Sequence, residues 1–156
     1  EADQAQQLIT DAACGGSHRL IGMTMALNNY RQVRRAETEG PIELTGGWKA
    51  AEERILWGIE TARQFQQPNG AFSINYFERA SNSPDLAIHL GATGHTLELL
   101  SLALDEEQLS EPWVTRSVVY LCEIFKKTKD LDLECGALYH AAHGLAVYRQ
   151  RRFGPR

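Results

Sequence analysis

The chain has 156 residues, the size of one ordinary domain, and 43% of them are apolar, enough for a buried core. A formal charge of −4 gives no electrostatic basis for binding nucleic acid. No stretch approaches the roughly 18 unbroken apolar residues that a membrane span requires.

Helical spacing governs nearly every segment. The first predicted helix covers 17–36, with Leu20, Met23 or Thr24, Leu27 and Tyr30 on one stripe, and Gly40-Pro41 stops it. A turn containing Gly46-Gly47 leads to a second amphipathic stripe, Trp48, Ala51, Ile55, Ile59, Ala62 and Phe65. Gln67-Pro68-Asn69-Gly70 ends that stripe, because proline removes a donor and glycine accepts the reversed backbone. Residues 71–90 are the least regular part; Ala71–Phe77 is the one short alternating run, and Ser81-Asn82-Ser83-Pro84 is a breaker.

A third, unusually apolar helix is expected over 91–104. Asp105 and Gln108 have the spacing of a capping box, and Pro112 suits the first turn of a helix over 112–128 that buries Val114, Ser117, Val118, Leu121 and Phe125. The last helix is expected over 134–152. The class is therefore all-α. Segments 17–30, 91–104 and 136–148 are rich in Gly, Ala and Leu, as expected of enclosed inner helices. The helices at 48–66 and 112–128 carry many charges and are read as an outer layer.

One unit recurs three times: small residues, a histidine, then a largely apolar helix. The copies are Cys14–Leu27, Gly91–Leu104 and Cys135–Tyr148, with His18, His95 and His140 aligned. Stacked helical repeats orient equivalent residues alike, so the three histidines can converge on one cavity. Cys14 lies four residues before His18, and Glu98 and His143 each lie three residues after an aligned histidine. On a helix these spacings share a face.

Cys14, His18, His95 and His140 are thus candidate metal ligands. Zinc accepts thiolate and imidazole, and a catalytic zinc needs three such ligands plus an open position. His18, His95, Glu98, Tyr139, His140 and His143 are the inner-face candidates for ligand binding. The same histidines can instead cap turns and pack, and a packing role, unlike a catalytic one, recurs naturally in every repeat. Cys14, Cys122 and Cys135 are too few and too odd for a disulfide scaffold, though Cys14 and Cys135 occupy near-equivalent positions that permit pairing. Trp48, Trp57 and Trp113 read as clamps between hairpins, Tyr139 and Tyr148 as cavity candidates, and Met23 and Met25 as core fillers.

The segment Gln66-Gln67-Pro68-Asn69-Gly70-Ala71-Phe72 resembles the Gln-x-x-x-Gly-x-Trp repeat of squalene and hopene cyclases, with Phe for Trp. The helix beginning Gly94-His95-Thr96-Leu97 is similar to that repeat's inner helices. Together they resemble the α/α-toroid superfamily of terpenoid cyclases, protein prenyltransferases and lanthionine-synthetase-like proteins. The chain also resembles the carboxyl-terminal part of long bacterial, planctomycetal proteins. The resemblance implies one toroid-like domain over 1–156, an arc of α/α hairpins from the carboxyl-terminal end of a larger ring. The absence of an initiator methionine at Glu1 agrees with a processed or partial chain.

Departures from the family patterns are specific. Ala142-His143-Gly144 stands where the lanthionine-synthetase-like proteins have Cys-His-Gly, and Asp11 is wrongly spaced from Cys14 for the Asp-x-Cys of prenyltransferases. The Asp-x-Asp-Asp acid motif, a Gly-x-Ser-x-Gly elbow, a phosphate loop and a thioester sequence are all missing. Asn75-Tyr76 beside Glu78 and Arg79 admits a sugar-binding loop. Independently of the family, Gln66 is expected to bond the end of a neighbouring helix while Phe72 fills the gap between hairpins.

Two functions follow as expectations. One is a helical-repeat domain that completes a larger protein, its partner being the rest of its own chain or a second copy, with a ligand or partner on its inner face. The other is a toroid enzyme with a His/Cys site, compatible with zinc, acting on a lipid, peptide or glycan.

Overall fold

The computed structural model describes residues 9–154. Among them lie five α-helices and no strand: α1 (Ser17–Glu37), α2 (Gly46–Phe65), α3 (Leu86–Ala103), α4 (Pro112–Thr128) and α5 (Cys135–Phe153). Short 3-10 turns occupy Ala13–Gly16 and Gln108–Ser110. The all-α expectation holds, and the Ala71–Phe77 run forms turns rather than a strand. None of these helices is long and apolar enough to cross a membrane.

The third helix starts earlier than its glycines suggest. It opens at Leu86, not near Gly91, because the Asp85 carboxylate accepts from the backbone N–H groups of Ala87 (2.8 Å) and Ile88 (3.4 Å). Such a cap satisfies donors that a helix start otherwise leaves orphaned. Glu134 does the same for α5, accepting from Gly136 and Ala137 at 2.7 and 2.8 Å.

α3 is the axis of the molecule. Every residue from Ala92 to Ser101 is buried, as its all-round apolar sequence requires. Its most extensive contact is with α5, followed by α1 and α4; α2 packs on α1. Enclosure on most sides was also expected of the first and last helices. They instead keep a wet face, and Met25, expected in the core, is 58% exposed.

Glycine sets the α3–α5 crossing. A Cβ built on Gly94 would lie 2.5 Å from the backbone nitrogen of Ala141, and one on Gly144 would lie 2.8 Å from the carbonyl oxygen of Gly94. The two backbones therefore touch, which residues with side chains would prevent.

The Gln66–Phe72 segment behaves as its residues suggest. The Gln66 amide donates to Trp113 O (2.7 Å) in the first turn of α4 and to Gly70 O (3.1 Å), while Arg116 donates to its oxygen at 3.2 Å. Phe72 is buried, edge-on to Trp113, and its N–H donates to Thr93 Oγ1. Trp48 stacks on Tyr30 across α1 and α2. Asp105 and Gln108 form reciprocal capping bonds of 3.0 and 2.8 Å, although these open the 3-10 turn before α4 rather than α4 itself.

Candidate metal centre

The aligned histidines meet. His18 stands at the second residue of α1, His95 midway along α3, and His140 in the second turn of α5. The rings of His95 and His140 stack with centroids 3.6 Å apart and 25° between planes. The His18 ring lies 4.8 Å from the first and 5.4 Å from the second. Their convergence is a property of how the helices pack, since each histidine sits at a different distance from its helix start.

His95 is the buried member, and its hydrogen placement follows from its partners. Gly91 O, one turn earlier, lies 2.7 Å from Nδ1, so Nδ1 carries the hydrogen. Nε2 then presents its lone pair and accepts from Nε2–H of His18 at 3.0 Å. Burial pushes the ring down to about 4, reinforced by His140 and His18 and opposed by the Gly91 bond. His95 is consequently a neutral imidazole over the ordinary pH range, the form that ligates metals.

Cys14 reaches the same point from the turn before α1. Cys14 (φ 53°), Gly15 (φ 57°) and Gly16 (φ 84°) are three successive left-handed residues. Glycine adopts that conformation freely, cysteine only under strain. Among the described residues the non-glycine positions with positive φ are Cys14 and Tyr76, and the Tyr76 side chain lies beside the Cys14 thiol. Tyr76 also packs against Gly15, where a Cβ would come within 2.6 Å of its side chain, and meets His95 edge-on at 5.9 Å. Burial, and secondarily Cys14, raises the Tyr76 phenol well above its ordinary value, so it stays protonated. Strained backbone concentrates where a side chain is needed at a fixed place.

The thiol of Cys14 and one nitrogen each of His18 and His95 lie within 4.8 Å of one another, a group able to hold a metal ion. Ligands of a tetrahedral zinc at ~2.05 Å lie ~3.3 Å apart for a nitrogen pair, close to the 3.0 Å between the His18 and His95 Nε2 atoms. One thiol and two imidazoles are donors that zinc takes; three of the four expected ligands form this group, and His140 lies outside it, stacked on His95.

A second layer of polar groups supports the first. Glu98, 7% exposed, presents one oxygen to His140 Nδ1 (3.2 Å) and the other to His143 Nδ1 (2.9 Å). With the carboxylate as acceptor, both rings carry hydrogen on Nδ1 and keep Nε2 as a lone pair. Tyr139 covers His143 in a parallel stack at 5.5 Å and is itself 58% exposed. The structure thus places Glu98, Tyr139, His140 and His143 around the Cys14–His18–His95 group, His140 being in ring contact with it.

A cavity of about 460 Å³ opens beside the group. Cys14, Tyr76, His95, Glu134 and His140 form its polar wall, and Ile74, Ile88 and Ala137 are among its apolar lining. Tyr148, expected at a cavity, is buried elsewhere and donates to Leu109 O. Cys14 and Cys135 are both free thiols. In the loop where Asn75 and Tyr76 suggested a sugar site, Ser73 Oγ donates to Arg79 O and Tyr76 turns toward Cys14.

The place of Tyr76 beside Cys14 is the feature of the site that sequence reasoning did not foresee. The tyrosine lies in an irregular segment, and its contact with Cys14 depends on how that segment crosses the helix ends. Comparison of the chain with protein-family models, with curated proteins and with solved structures gave no match.

Proposed function

We propose that this chain is an arc of α/α hairpins that holds a zinc ion between Cys14, His18 and His95 and acts on a substrate lying in the adjoining cavity. The meeting of the two strained residues, Cys14 and Tyr76, side chain to side chain at the histidine cluster, carries the proposal. A cysteine chosen only for packing has no reason to occupy a left-handed position beside two imidazoles. The hairpin reading is supported by α1, α3 and α5 neighbouring one another in chain order, with α2 against α1 and α4 against α3.

When bound, zinc with three protein ligands supplies a Lewis acid and a water ionisable near neutrality. The chain's own residues do the rest. Gly91 O fixes the His95 tautomer, and Glu98 fixes those of His140 and His143, leaving His140 Nε2 as a proton acceptor at the cavity wall. Ile74, Ile88 and Ala137 exclude water and receive an apolar part of the substrate. This wall fits a lipid or an apolar peptide side chain better than a glycan.

A second reading has one observation in its favour. Ile88 stands exposed at the cavity and Tyr139 stands exposed against His140 of its wall, as they would where the rest of a longer chain or a second copy covers the cleft.

Metal analysis tests the first reading. Protein produced with zinc in the medium is expected to carry one zinc per chain, lost in Cys14→Ser and His95→Ala and kept in His143→Ala. Metal-free wild-type protein, or zinc retained by both ligand variants, refutes it and leaves the non-catalytic reading.

A further inference from the structure

The opposite end of α3 holds a second hollow of different chemistry. It measures about 560 Å³ and is bounded by Asn28, Arg31, Gln32 and Arg35 of α1, the carboxyl end of α3, and Arg151 of α5. An adjoining hollow of about 420 Å³ shares Arg31 and Arg35 and is closed by Gly40–Ile42. Two arginines thus line both, making one extended cleft in a chain whose formal charge is −4.

The charges facing this cleft can be taken one by one. Arg31 pairs with Glu52 of α2. Arg151 donates to Leu104 O at 3.0 Å and Asn28 to Leu102 O at 2.9 Å, so two of the carbonyls at the carboxyl end of α3 are occupied. Asp105 accepts from the Gln108 N–H. Arg35 makes no hydrogen bond or ion pair with any described residue. Three guanidinium groups against two carboxylates leave an excess of one positive charge, and Arg35 is its uncommitted carrier.

We propose that this cleft binds the phosphate group of a small phosphorylated molecule. Guanidinium groups donate in a fixed fork that matches oxyanions. Arg31 and Arg35 of α1 and Arg151 of α5 line the same hollow from two helices, so donors are offered from two sides, which suits a tetrahedral group better than a planar carboxylate. The volume leaves room for the organic part of the molecule beyond the phosphate. The proposal is independent of the metal centre, whose His95 lies midway along α3 and lines neither hollow.

Titration calorimetry on the full chain in chelator-containing buffer tests it, with inorganic phosphate, pyrophosphate and succinate as probes. Saturable binding of phosphate and tighter binding of pyrophosphate are expected, both weakened when salt is raised. Arg35→Gln, which removes no side-chain hydrogen bond or ion pair to any described residue, should weaken phosphate about tenfold, while Cys14→Ser should bind it as the wild type does. Succinate binding as well as phosphate, phosphate binding unchanged in Arg35→Gln, or binding lost in Cys14→Ser would each overturn the assignment. So would the absence of saturable binding of any of the three.

Discussion

Gly94→Ala is the most informative single substitution. The added methyl would meet the backbone nitrogen of Ala141 at 2.5 Å and its Cα at 2.7 Å, where ordinary contact begins near 3.4 Å. Neither atom can rotate away, so α3 and α5 must separate by about 0.9 Å in a tightly packed interior. Overpacking of this kind costs typically 1–3 kcal/mol, and backbone on the receiving side places it at the upper end, about 3 kcal/mol. Alanine returns about 1 kcal/mol through its better helix propensity. The expected net loss is about 2 kcal/mol, or roughly 4–8 °C in melting temperature for a chain of this size. The same displacement widens the His95–His140 stack and pulls His140 from Glu98, so the imidazole NMR signals of both rings should shift. Urea unfolding decides the matter: a variant within 0.5 kcal/mol of wild type, with unmoved histidine signals, would refute the close-approach argument.

Acid should weaken the metal-free protein through His95. Its folded value of about 4 lies below the 6.5 of the unfolded chain, so between these limits the unfolded state binds the extra proton and stability falls as pH falls. From these two values the loss between pH 7.5 and pH 5 is about 2 kcal/mol, and the pH slope in that window should flatten in His95→Gln when both are unfolded in urea. Glu98→Ala leaves two imidazole N–H groups without their acceptor; a loss of about 2–3 kcal/mol is expected, with Glu98→Gln falling between it and wild type in the same assay. Gln66→Ala removes the bonds to Trp113 O and Gly70 O. Calorimetry should show its melting temperature lowered by about 2–4 °C.

Much of this was legible in the sequence because it rests on period and punctuation. The apolar periodicity gave five helices, Pro112 marked a helix start, and the Gly–His recurrence pointed to convergence of His18, His95 and His140. The onset of α3 was hidden because Ser83-Pro84-Asp85 reads equally as breaker and as cap, and only the Asp85 bonds to Ala87 and Ile88 decide between them. Met25 and Tyr148 were misplaced for a related reason: spacing defines a stripe, but which neighbour covers it is settled in three dimensions. The approach of Tyr76 to Cys14 had no signal, since a left-handed tyrosine in an irregular loop leaves no pattern in a single sequence.

The left-handed turn at Cys14–Gly16 has a consequence for motion. A non-glycine residue held in that region stores on the order of 1–2 kcal/mol, and Cys14 and Tyr76 each do so while pressed together. Their contact is therefore a loaded latch. Parting the two side chains lets both backbones relax, so this corner opens more readily than α3, whose middle is wholly buried. Amide hydrogens at residues 14–16 should exchange faster than those of Leu97–Leu100. Anything that bridges Cys14 and His95 closes the latch and slows that exchange.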